Sequence, residues 1–73
     1  MTLPLFTELR HDVPLADQIE ELKRERAMRA RVYPRWINSG MLKASTALRR
    51  NTALEAAIET LEALKREEQQ WGR

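Results

Sequence analysis

Arg31-Val32-Tyr33-Pro34-Arg35-Trp36-Ile37-Asn38-Ser39-Gly40 decides how this chain folds. The stretch holds the only Tyr, one of two Trp, one of three Pro and one of two Gly. A helical pattern runs into it from the N-terminal side and a second pattern leaves it. Gly40 can take φ > 0 without a Cβ penalty, which suits the residue after a helix end. The stretch therefore reads as the corner of a helical hairpin.

Upstream of the corner, Leu15, Ile19, Leu22, Arg26, Ala30, Tyr33 and Ile37 recur at intervals of three or four, one face of a helix. Pro14 suits the first turn, where its missing N–H costs nothing. Asp17, Glu20 and Glu21 favour the positive end of the helix dipole. Pro34 sits inside the pattern, so a kink or break is expected near Arg31 to Tyr33. Arg26 is the anomaly on the stripe; its stem would cover apolar surface while its head reaches a carboxylate. The first helix is expected over roughly residues 14–38, with a corner at 39–43.

Downstream, Ala47, Asn51, Leu54, Ile58, Leu61 and Leu64 or Lys65 mark the inner face of a second helix over about 44–70. Its many alanines raise helix propensity. Residues whose numbers sum to about 80 should meet across the seam of such a hairpin, given the equal rise of both helices. This pairs Ile19 with Leu61, Leu22 with Ile58, Arg26 with Leu54 and Glu55, Ala30 with Asn51, and Tyr33 with Ala47 and Leu48. Residues 1–13 read as an extended arm, because Leu3, Leu5 and Phe6 are not helically spaced and Pro4 forces an extended residue before it. The fold class is thus all-α: a two-helix antiparallel hairpin over 14–73 with an N-terminal arm.

Seventy-three residues make one domain of marginal size. The chain has no Cys, which removes disulfide and thiolate-metal staples and suits a reducing cytoplasm. No apolar run is long enough for a membrane span, and no charged n-region precedes an apolar h-region, so a signal peptide is not expected. A second copy is then the expected way to finish the core. Ile19, Leu22, Leu54, Ile58 and Leu61 are the core and dimer positions, and Leu48, Met28 and Val32 are expected to meet the second copy along with Leu54 and Leu61. The expected assembly is an antiparallel four-helix dimer.

The net charge of +2 conceals a split. Nine basic residues lie between Lys23 and Arg50, opposed only by Glu25, while the rest of the chain carries ten acids against four bases. In a hairpin, the corner end is basic and the open end acidic.

The segment Glu25-Arg26-Ala27-Met28-Arg29-Ala30-Arg31-Val32-Tyr33-Pro34-Arg35-Trp36-Ile37, preceded by Leu15-Ala16-Asp17-Gln18-Ile19, resembles a group of small proteins encoded by tailed phages and prophages of Gram-negative bacteria. The Val-Tyr-Pro-Arg-Trp string is the specific part. After Gly40 the sequence departs from the pattern, with Leu42-Lys43-Ala44-Ser45 in place of a cleaner N-cap. The resemblance implies a phage origin and the cytoplasm of a bacterial host, and it implies no activity.

Three candidate surfaces follow. Thr2-Leu3-Pro4-Leu5-Phe6 resembles the short peptide by which bacterial polymerases and repair proteins bind the sliding clamp. Leu3, Leu5 and Phe6 match its apolar positions, Pro4 holds the backbone extended, and Thr2 replaces its glutamine. The alternative is that Leu3, Leu5 and Phe6 fold back and cap the open end of the helices. Second, the corner patch of Arg29, Arg31, Tyr33, Arg35, Trp36, Arg49 and Arg50 has the chemistry to contact phosphates and stack on bases. Its alternative is structural, with arginines bridging Glu55 and Glu59. Third, Tyr33, Pro34, Trp36 and Ile37 suit a protein hot spot, or else a corner core in which Trp36 covers Ala44 and Leu48.

Glu55, Glu59 and Glu62 read as a solvated face. His11 is the only His and no Ser, His and acid converge, so no catalytic, metal or cofactor site is assigned. The expected function is a non-catalytic interaction protein acting on a host or phage protein, the sliding clamp or another replication or repair factor, through the arm. The alternatives are a nucleic-acid-binding accessory protein that uses the corner and a structural subunit of a phage assembly.

Overall fold

The computed structural model describes residues 13–71. Two helices run antiparallel: α1 over Leu15–Asn38 and α2 over Ala44–Trp71. No strand occurs among the described residues, and the chain is an all-α hairpin. The sequence expectation for both helices holds to within a residue at each described end. Pro14 sits just outside α1, at its N-cap, with φ −59° and ψ 150°. Its carbonyl accepts from the Asp17 and Gln18 amides at 3.1 and 3.2 Å, and the Gln18 side chain donates to the Val13 carbonyl at 3.0 Å. The bond from Asp17 ties down an amide that the regular helix pattern leaves free.

Pro34 does not break α1, which is continuous through it. The expected break is absent because Pro34 lies one turn from the helix end. The turn that follows it is secured by the corner, so one lost backbone bond is tolerated. Gly40 takes φ +84°. The Gly40 amide donates to the Ile37 carbonyl at 3.1 Å and the Met41 amide donates to the Trp36 carbonyl at 2.9 Å. These paired bonds are the Schellman arrangement, with Gly40 at its left-handed position. The Leu42 amide and the Ser39 hydroxyl also reach the Trp36 carbonyl, at 3.1 and 3.2 Å. Four groups close α1 through one short segment, which fixes the direction in which α2 departs.

The core is a single seam. Ile19 and Tyr33 of α1 and Ala47, Leu54 and Ile58 of α2 are its buried apolar side chains. Leu15, Leu22, Val32 and Leu61 are half-buried along it. Three sequence expectations change here. Ala30 was expected opposite Asn51, but Ala30 is exposed and Arg29 reaches Asn51 instead. A methyl cannot span the seam at that height, whereas a guanidinium stem can. Leu54 was expected to meet a second copy, but it is buried inside the hairpin at 8% exposure. Leu48 was expected opposite Tyr33, yet it is 69% exposed, while Ala47 fills that position.

Candidate nucleic-acid or protein interface at the corner

The nine basic residues between Lys23 and Arg50 separate into two groups once folded. Four are tied to carboxylates. Lys23 pairs with Glu62 at 3.2 Å and Arg26 with Glu55 at 2.9 Å, both across the seam. Arg24 pairs with Glu21 at 2.8 Å and Arg29 with Glu25 at 2.8 Å, both along α1. The expected structural role for arginines is therefore present for Glu55, whereas no ion pair to Glu59 occurs among the described residues. Glu55 and Glu62, expected on a solvated face, are the partners that hold α1 to α2 on one side.

Arg29 is the most engaged of these. Besides Glu25, its guanidinium donates to the Arg50 carbonyl at 3.2 Å and to Asn51 Oδ1 at 3.4 Å. It also lies 5.5 Å from the centre of the Tyr33 ring, within cation–π range. Its side chain is 19% exposed. Arg29 thus fastens α1 to the first turns of α2, and its place in the corner patch is corrected to a structural one.

Tyr33 is corrected in the same way. It is 6% exposed, held between Arg29 and Trp36, whose ring centre lies 5.7 Å away at a tilt of 36°. A ring enclosed on this scale offers no face on which a base could stack. The single sequence signal that could have separated Tyr33 from Trp36 is its place on the 15–19–22–26–30–33 stripe, which points at the seam.

The second basic group is different. Arg31, Arg35, Lys43, Arg49 and Arg50 are exposed, and none of them makes an ion pair among the described residues. They surround the corner within about ten residues of Gly40 on either side, with no Asp or Glu between Arg26 and Leu54. No acidic residue occupies the first turn of α2, so the cations at this end are not offset by side chains there, and the opposed dipole ends of α1 and α2 at the corner largely cancel. Among these cations stand exposed apolar side chains: Met41 at 75%, Leu48 at 69%, and Trp36 and Ile37 at 37% each. Trp36 does not cover Leu48, contrary to the corner-core expectation, because Leu48 points away from the seam one residue after Ala47.

The arm residues Leu3, Pro4, Leu5 and Phe6 lie outside the described residues. Among the described residues no helix is long and apolar enough to cross a membrane. One concave surface among the described residues is at the open end, where a groove of ≈ 350 Å³ runs between Ala16, Ile19, Lys23, Glu62 and Lys65. Lys23 and Glu62 neutralise one another in its wall. No protein-family model, curated protein or solved structure matches the chain.

Proposed function

We propose that this chain is a non-catalytic interaction protein that docks its corner onto an acidic, partly apolar surface of another protein. The supporting observation is the composition of that corner: five unpaired cations interleaved with Trp36, Ile37, Met41 and Leu48. Arginine and tryptophan set among exposed apolar side chains are the ingredients of protein hot spots. A nucleic-acid surface would gain from the cations but little from Met41 and Leu48, and the burial of Tyr33 removes one of the two stacking rings that such a reading relied on. The cations would steer encounter and fix orientation, while Trp36 and Met41 would supply the desolvated contact. The phage resemblance of the sequence supports a partner among host or phage proteins, of which replication and repair factors are one class.

The test is capture of the partner with the wild-type chain, followed by titration of the purified partner against variants. Arg35→Glu with Arg49→Glu, and separately Met41→Ser, should each weaken binding at least tenfold. Leu5→Ala with Phe6→Ala should leave it unchanged. Loss of binding only in the arm variant moves the function to the Leu-Pro-Leu-Phe segment. Salt-sensitive binding of duplex DNA that Met41→Ser leaves intact moves it to nucleic acid.

A further inference from the structure

The two long sides of the hairpin are unlike. One is zipped by the Lys23–Glu62 and Arg26–Glu55 pairs. On the other, no ion pair crosses between α1 and α2 among the described residues, and helical spacing gathers Leu22 and Val32 of α1, with the Glu25–Arg29 pair between them, and Ala53, Ala57, Leu61 and Leu64 of α2. Leu64 is 46% exposed. A groove of ≈ 470 Å³ lined by Val13, Leu22 and Leu61 opens at the acidic end of this side.

The geometry points to a second copy of this chain as the occupant of that side, with its long axis reversed. Charge selects both the occupant and the direction. The corner carries Arg31, Arg35, Lys43, Arg49 and Arg50 without ion-pair partners, and the open end carries Asp17, Glu20, Glu67 and Glu68 against Lys65 and Arg66, a net acidic set with none of the six in an ion pair among the described residues. A copy laid parallel would place two unpaired basic corners together. A copy laid antiparallel sets each basic corner against an acidic open end, so the surface is complementary to itself. In that arrangement the two-fold axis passes near the middle of α2, and α2 lies against its own symmetry mate. Ala57 falls at that midpoint, with Ala53 facing the partner's Leu61. Small residues at the crossing let the two backbones approach while Leu61 and Leu64 flank it.

Leu48, expected from the sequence to join this contact, lies instead on the stripe with Glu55, Glu59 and Glu62 on the ion-paired side. The inference draws on the same corner cations as the docking surface proposed above and differs from it in its apolar contact, which lies along α2 rather than at Trp36 and Met41; it would give the assembly two corners at opposite ends.

The mass of the full chain in solution tests it. At high micromolar concentration the chain should sediment at twice its 8.6 kDa. Ala57→Glu, at a position exposed in the hairpin and therefore harmless to its fold, should return it to the monomer with helical circular dichroism retained. Leu48→Glu should leave the dimer intact. Ala57→Cys should form an intermolecular disulfide on mild oxidation, whereas Thr46→Cys should not, since the antiparallel arrangement holds two such residues about 33 Å apart. A monomeric wild type would overturn the inference and leave this side to the arm or to another protein. A dimer lost on Leu48→Glu, or one in which Ala57→Cys fails to link, would overturn the assigned face or direction.

Discussion

Arg29→Met is the substitution that most directly separates the arginines that fasten the hairpin from those the fold leaves unpaired. It keeps an unbranched stem of similar reach and removes the charge and all donors. Three interactions go with it: the 2.8 Å pair with Glu25, the bonds to the Arg50 carbonyl and Asn51, and the approach to the Tyr33 ring at 5.5 Å. A hydrogen bond involving a charged group contributes about 1.5–3 kcal/mol when shielded. An along-helix pair adds about 0.3–0.5 kcal/mol and a partly exposed cation–π contact about 0.5–1 kcal/mol. These are not additive, since one guanidinium makes them all, and the retained methionine stem returns part of the packing. A net loss of about 2 kcal/mol is expected, which for a domain of this size lowers Tm by about 8–16 °C. The assay is thermal unfolding followed by far-ultraviolet circular dichroism at one fixed protein concentration, because any self-association makes Tm concentration-dependent. Arg24→Met is the control. Its pair with Glu21 is 72% exposed on both sides, so the change should stay within about 0.5 kcal/mol. Equal Tm values for the two variants would refute the assignment of Arg29 to the hairpin seam and restore it to the corner surface.

Two further substitutions probe the corner. Gly40→Ala should destabilise by about 1 kcal/mol through its positive φ alone, because nothing lies within 4 Å of the added methyl; urea unfolding at matched concentration measures it, and Gly40→Asn should cost less. Pro34→Ala restores an interior helix bond and removes a steric conflict, offset in part by a freer unfolded chain, so it should stabilise by about 2 kcal/mol; a lower Tm would show that the proline's restriction of the unfolded chain outweighs its cost in the helix.

The elements of the fold were legible because periodicity and punctuation agree. The three- and four-residue spacing from Leu15 to Tyr33 and from Ala47 to Ile58 outlines the seam, and Gly40 ends α1 as its lack of a Cβ permits. What periodicity could not resolve was the angular fine detail of the seam. Arg29 and Ala30 are adjacent on the helix, and which one crosses to Asn51 depends on side-chain length rather than on spacing. The same limit applies to Ala47 and Leu48, where the small residue enters the seam and the large one is excluded. Nor could charge counting separate used cations from free ones. Helical spacing does set Glu21 beside Arg24 and Glu25 beside Arg29, and the seam register set Arg26 against Glu55, but the Lys23–Glu62 pair emerges only in the folded hairpin.

That separation governs how the corner should be understood. Ion pairs concentrate in the part of the hairpin where acids are available, and they stop where the chain contains none, between Arg26 and Leu54. The corner already has its conformation secured by backbone bonds to the Trp36 and Ile37 carbonyls and by Gly40. Its five free cations therefore add nothing to the closure of the turn, and their mutual repulsion opposes it. Neither does fold stability account for Met41 at 75% exposure, although a Schellman turn commonly tucks the residue at that position against the helix. That the fold leaves both the charges and the apolar side chains of the corner unused is the observation on which the proposed docking surface rests.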